Sequence, residues 1–202
     1  MEHFFQGTPV AGIIFLLTIA SSLYAFSNPE VYGKFMLHPY SVSRGERIYS
    51  IFTSGLIHKD WSHLFFNMFS YYMFAFALER QIGSMQFAVL YIASLALSDL
   101  STIIKHKDHF WYNSLGASGA ISAIVFSYIL FRPDSEFYVM LIPIPVNAVV
   151  FGVLYLVYSA YASKQSSEIN HDAHFFGAIS GILVTIVFNP GVLNAFFDRL
   201  MH

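Results

Sequence analysis

Cysteine is missing from all 202 residues, which removes disulfides, thiolate metal ligands and cysteine nucleophiles and leaves the redox compartment open. Charge is scarce as well. Asp, Glu, Lys and Arg make up 11% of the chain, against about 25% in soluble domains whose surfaces face water. Neither sign dominates: the net charge is −2, so the basic footprint that nucleic acid requires is lacking. Low-complexity stretches are absent too, which argues against disorder. What the chain has instead is 56% hydrophobic and 18% aromatic residues, with a mean hydropathy of +0.56. Such a composition cannot cover a water-facing surface, and it reads as a single-domain, all-α membrane protein.

A membrane-crossing helix needs about 20 mostly apolar residues. Six segments approach that length: 9–26, 63–78, 85–104, 115–131, 145–162 and 173–188. The first lacks preceding basic residues and a small-residue cleavage site, so it reads as a retained helix rather than a signal peptide. Between the first two, residues 27–59 mix Pro29, Gly33, Lys34, Arg44 and Arg47 with Phe35, Leu37, Ile48 and Tyr49. That mixture predicts a long, partly helical loop in the membrane interface. Pro143 and Pro145 fall near the start of the fifth segment, and Asn189-Pro190-Gly191 stops the sixth. No internal repeat is visible, which counts against a transporter built from two related halves.

Three polar clusters stand out, because polar groups at membrane depth are costly. In the first, His63 and Asn67 share a helix face that Ser70 continues. They are either helix-end groups satisfying loop carbonyls or hydrogen-bond donors aimed at an interior site. In the second, Gly116, Ala117, Gly119 and Ala120 surround Ser118 with small side chains, in the first turn of a predicted helix where unpaired amides favour negative charge. Small residues also serve plain helix packing. In the third, His174, Gly177 and Gly181 lie on one face. This glycine stripe predicts close packing on the Gly116/Gly119 helix, with His174 brought beside Ser118. A histidine at a helix end is often only structural, yet it is also the natural general base for a serine hydroxyl. Together the clusters supply the parts of acyl transfer.

These residues resemble the rhomboid intramembrane serine proteases. The resemblance covers nearly the whole chain and rests on His-x-x-x-Asn at His63–Asn67, Gly-x-Ser-Gly at Gly116–Gly119, and Ala-His-x-x-Gly-x-x-x-Gly at Ala173–Gly181, in the family's order. It implies a six-helix rhomboid-like bundle. Ser118 would be the nucleophile and His174 the general base, with His63, Asn67 and the Ser118 backbone amide holding the oxyanion. Gly116, Gly119, Gly177, Gly181 and His58 would support the site, and Glu79 would be structural. No acidic third member, metal or cofactor is expected, so Asp99 and Asp172 are not nominated. The implied partners are the lipid bilayer and membrane-protein substrates whose transmembrane segments contain weak helix formers.

Two positions depart from the family pattern. Glu46-Arg47 stands where a Trp-Arg pair is common, which bears on loop stability. Ser122 stands where some members carry an aromatic that stacks on the base, so His174 must be oriented by something else. The family topology puts the N-terminus in the cytoplasm, whereas the positive-inside rule favours the outside; the motifs outweigh that small bias. The expected substrate gate is the fifth helix or the loop before His174, where Pro143, Pro145, Ser166 and Ser167 would give. The minimal form and the lack of a presequence fit a bacterial inner membrane. Rival readings are an inactive relative that binds membrane clients, a transporter with a histidine proton relay, and a metal site at His58, His63, His171 and His174.

Overall fold

In the computed structural model, residues 6–138, 144–165 and 169–201 are described. The chain opens with α1 (Pro9–Ser27), with proline in its first turn, where the missing N–H costs nothing. Asn28 then starts α2 (Pro29–Phe35), its side chain accepting from the Val31 amide at 3.1 Å. Two single turns follow, α3 (Pro39–Val42) and α4 (Ser50–Thr53), and a 3-10 turn at Ser54–Leu56. Residues 27–59 are thus partly helical, as their mixed composition suggests.

The next two helices are long. Asp60 caps α5 (Trp61–Ile82) by accepting from the His63 amide at 2.8 Å. The Ser62 hydroxyl and that amide hold the Asp60 carboxyl below the usual range. Gly83, at φ +81°, ends α5 and turns the chain directly into α6 (Ser84–His106).

The remaining elements form α7 (Ser118–Phe131), a two-strand antiparallel ladder of β1 (Glu136–Tyr138) and β2 (Pro145–Asn147), α8 (Ala148–Ala162), α9 (His171–Phe188) and α10 (Val192–Met201). In the ladder Glu136 faces Asn147, Phe137 faces Val146 and Tyr138 faces Pro145.

Several expected boundaries are corrected. The helix expected over 145–162 begins only at Ala148, because Pro145 and Val146 pair with β1 and Asn147 caps α8 through the Val149 and Val150 amides. The helix expected from Leu115 begins at Ser118. Gly116 at φ +115° cannot belong to it. Those expected over 63–78 and 173–188 start earlier, at Trp61 and His171, and the former continues to Ile82. Helix α10 was not expected at all.

The core is organised around α7, of whose 14 residues 11 are buried. Helix α9 packs most extensively on it, with α6 behind and α5 on the other side; α1 leans on α5, and α8 touches α7 only sparsely. Glycine explains the closeness of α7 and α9. A Cβ added at Gly177 would collide with the Gly119 carbonyl, and one at Gly181 with the backbone of Ala123. Many large apolar side chains face outward instead, among them Leu16, Phe65, Met85, Val157 and Leu183. Water does not tolerate a surface of that kind, and hydrocarbon does. By length and composition α1, α6 and α9 can cross a membrane. Helices α7 and α8 are apolar but shorter, and α5 carries His63, Asn67, Glu79 and Arg80 among its apolar residues.

Candidate active site

Ser118 is the first residue of α7, so the amides of its first turn have no partner inside the helix. His174 lies in the first turn of α9. The glycine contact between these helices brings the two together: His174 Nε2 is 2.8 Å from Ser118 Oγ. Above the pair lies a cavity of about 230 Å³ whose polar lining comes from Asn67 and Ser70 of α5, Ser118 and Ser122 of α7, Tyr155 of α8 and His174 of α9. Phenylalanines from α5, α7 and α8, with Ile121 and Val125 of α7, make its remaining walls. A serine hydroxyl hydrogen-bonded to an imidazole, at a helix N-terminus and facing a cavity, can act as an activated nucleophile.

Of the other residues that the sequence singles out, Asn67 faces the cavity and donates through Nδ2 to the His63 carbonyl at 2.9 Å. His63 is not among the residues that line the cavity; its ring is packed against Gly116, where a Cβ would approach His63 Cε1 to 2.7 Å. Gly116 thus serves His63 and its own positive φ. Gly119 makes room for Ser98 and the Ala173 carbonyl. His58 is fully buried, with Nδ1 3.0 Å from Ser22 Oγ and its ring edge-on to His63. Burial, with His63 beside it, pushes the His58 imidazole down to about 3. Both carboxylates passed over in the sequence are engaged elsewhere, Asp172 with Lys105 and Asp99 with Ser54 Oγ. Among the described residues no group of three or more His, Asp or Glu side chains is placed to hold a metal ion.

The first loop is pinned to the site from several sides. Leu37 and Ser114 exchange both backbone hydrogen bonds, and the Gly116 amide donates to the Ser54 carbonyl at 2.9 Å. Arg47, at φ +51°, donates to the carbonyls of Gly33, Lys34 and Met36. The arginine of the departing Glu46-Arg47 pair therefore does hold the loop. Glu79, fully buried, accepts from the Val10 and Ala11 amides and from Ser84 Oγ.

Two contributors escaped the sequence. Asn170 caps α9 through the Ala173 amide and donates to Thr102 Oγ1 and Ser114 Oγ, fixing the start of the histidine helix. An Asn before an apolar run is a readable cap, but its side-chain partners are not. Tyr155 lies against His174 from α8, and no local pattern announces it. Of the expected gate residues, Pro145 lies in β2, while Pro143, Ser166 and Ser167 lie outside the described residues.

Comparison with known proteins finds chains similar to this one. It is 31% identical to "Putative rhomboid protease YdcA" of Bacillus subtilis over 72% of this chain and 69% of that protein. It is 26% identical to RHOMBOID-like protein 12, mitochondrial, of Arabidopsis thaliana, over 88% of this chain and 58% of the relative. Rhomboid protein 1, mitochondrial, of Saccharomyces cerevisiae is also 26% identical, over 66% of this chain and 40% of its own length. The chain thus spans little more than half, or less, of the two mitochondrial relatives. The rhomboid domain family model matches residues 45–190, from the first loop to the end of α9, and on that match the chain belongs to the rhomboid family.

Proposed function

We propose that the protein is an intramembrane serine endopeptidase that cuts transmembrane segments of membrane proteins through a Ser118–His174 dyad. The observation that carries this reading is the 2.8 Å approach of His174 Nε2 to Ser118 Oγ beneath a cavity. His174 takes the hydroxyl proton as Oγ attacks the scissile carbonyl carbon. The oxyanion is received by the Asn67 amide, His63 and the Ser118 backbone N–H, close to the positive end of α7. The imidazolium then gives its proton to the leaving amine. Water, activated by the same histidine, hydrolyses the acyl-enzyme.

In this reading α1, α5, α6, α7, α8 and α9 all cross the bilayer, with the N-terminus in the cytoplasm. Helix α7 rises only roughly 21 Å at 1.5 Å per residue, less than the ~30 Å of hydrocarbon. Ser118 therefore begins below the membrane surface. The loop before it and the first-loop turns fill the remaining depth, where irregular backbone is tolerated only inside protein. Water reaches the dyad through the cavity. Substrates must offer an exposed carbonyl, which favours segments with weak helix formers. A bacterial inner membrane is the location this reading proposes. A mitochondrial membrane is the alternative raised by the names of two relatives, and fractionation of the host cell separates the two.

The test is labelling of the purified, detergent-solubilised chain with a fluorophosphonate, beside Ser118→Ala and His174→Ala. Labelling that vanishes in both variants is the expected result. A folded wild type that stays unlabelled would overturn the protease reading and leave the client-binding one. Solute flux that survives Ser118→Ala would instead favour a transporter.

A further inference from the structure

We infer that Tyr155 is the positioning residue for the base: its ring backs the His174 imidazole, and its hydroxyl, bonded to Ser122, fastens α8 to the nucleophile helix. The orientation of His174 is thereby tied to the position of α8. This inference rests on the Ser118–His174 dyad proposed above.

Among the described residues no carboxylate holds the base: Asp172 is engaged by Lys105 and Asp99 by Ser54. What lies beside it is aromatic. The Tyr155 ring is 6.4 Å from the His174 ring, centroid to centroid, and inclined by only 22°, within the range of offset stacking. One turn further along α8, Tyr158 meets His171 edge-on at 5.4 Å. Two tyrosines three apart on α8 therefore meet two histidines three apart on α9, in antiparallel order. The Tyr155 hydroxyl is 2.6 Å from Ser122 Oγ, and Ser122 donates to the Ser118 carbonyl at 2.9 Å. A chain of hydrogen bonds thus runs from the backbone of the nucleophile to the ring that flanks the base.

The small side chain at 122 and the tyrosine at 155 make one device. A serine four residues after Ser118 leaves room over the first turn of α7, and the ring that fills it comes from another helix. That helix is otherwise lightly held on this side. Beyond Tyr155, its close approach to α7 is at Gly152, which lies against Phe126 and Ile129. Displacing α8 to admit a substrate from the membrane breaks the Tyr155–Ser122 bond and withdraws the ring from His174. The dyad is then aligned only once α8 has closed again.

The experiment follows fluorophosphonate labelling in time, because its amplitude counts competent molecules while its rate reports the reactivity of Ser118. Tyr155→Leu keeps most of the volume and removes the ring. Its rate should fall about tenfold or more, with amplitude preserved. Tyr155→Phe removes the hydroxyl bond and keeps the ring, so its rate should fall by a smaller factor; Ser122→Ala removes that bond and the one to the Ser118 carbonyl, so its rate should fall at least as far. A second readout uses the absence of native cysteine. Spin labels at Phe69→Cys and Leu154→Cys, both outward-facing positions, should show a broadened α5–α8 distance distribution when combined with Ser122→Ala. Loss of amplitude at unchanged rate would mean that Tyr155 only fills space and would overturn the inference. Should Tyr155→Leu fail to fold, an unchanged labelling rate in Tyr155→Phe would overturn it equally. A wild type that does not label would overturn the dyad and this inference together, whereas normal wild-type labelling with an unchanged Tyr155→Leu rate overturns this one alone.

Discussion

Gly177 lies so close to the carbonyl of Gly119 that no side chain fits between them. The contact joins α9 to α7 one turn from His174 and one residue from Ser118, so the spacing of the helices is also the spacing of the dyad. Gly177→Ala should cost about 1–3 kcal/mol, as overpacking does, and should slow fluorophosphonate labelling by separating base from nucleophile. Gly191→Ala, in open space, is the control and should change neither the melting temperature nor the labelling.

Asn67 donates to the His63 carbonyl and faces the cavity. Losing one oxyanion donor costs about 10²–10³ in kcat in serine proteases. Asn67→Ala should fall at the lower end, because His63 and the Ser118 amide share the charge. The double variant with His63→Ala should lose less than the product of the single losses. Steady-state cleavage of one membrane-spanning reporter by the four proteins checks both statements.

Glu79 lies twelve residues beyond Asn67 on α5, or roughly 18 Å along the helix, and accepts three hydrogen bonds that tie α1 to α5 and α6. Glu79→Ala strands the Val10 and Ala11 amides, at about 1–3 kcal/mol for each unsatisfied group. A lower thermal midpoint is expected, with the labelling rate of the folded fraction unchanged in the cold. A lowered rate at full amplitude would contradict the separation of scaffold from chemistry.

His58 gives the fold a pH dependence with a definite sign. Its imidazole is pushed down to about 3 in the folded protein, from an ordinary value of 6.5. The unfolded chain takes up a proton below about pH 6.5 that the folded chain refuses. This contribution to stability is therefore complete above that pH and is lost progressively on acidification toward the folded value. Unfolding midpoints in detergent should fall below about pH 6.5, and the fall should be shallower in His58→Gln, although that variant is less stable at neutral pH.

The sequence carried the helices and the likeness of three motifs to a family because both are local patterns: apolar runs, and polar or small residues at helical spacing. The glycine stripe from Gly177 to Gly181 even indicated its partner helix, since a stripe without bulk must meet another backbone. The start of α8 is not legible in the sequence, because Pro145 reads equally well as a helix-opening proline and as an edge residue of β2. Asn147, whose side chain caps α8, was the better signal. Helix α10 is masked in the sequence by Pro190 and Gly191, which read as a stop, although Leu193, Phe197 and Leu200 recur at helical spacing. Tyr155 could not be found in this way. Its contact with His174 depends on the rotation and tilt of α8 across a gap, which no pattern along one segment records.

The burial of α7 on nearly every side has a consequence for how such a protein can diverge. Most of its side chains are enclosed by neighbouring helices, so the helix that bears the nucleophile has little latitude of its own. The cavity walls that also reach the outer surface, α5 and α8, present Phe65, Phe69, Val153 and Leu154 outward, where exchanges disturb little else. New substrate preferences are therefore to be sought by randomising those two walls, with α7 kept as the fixed keel against which every variant is built.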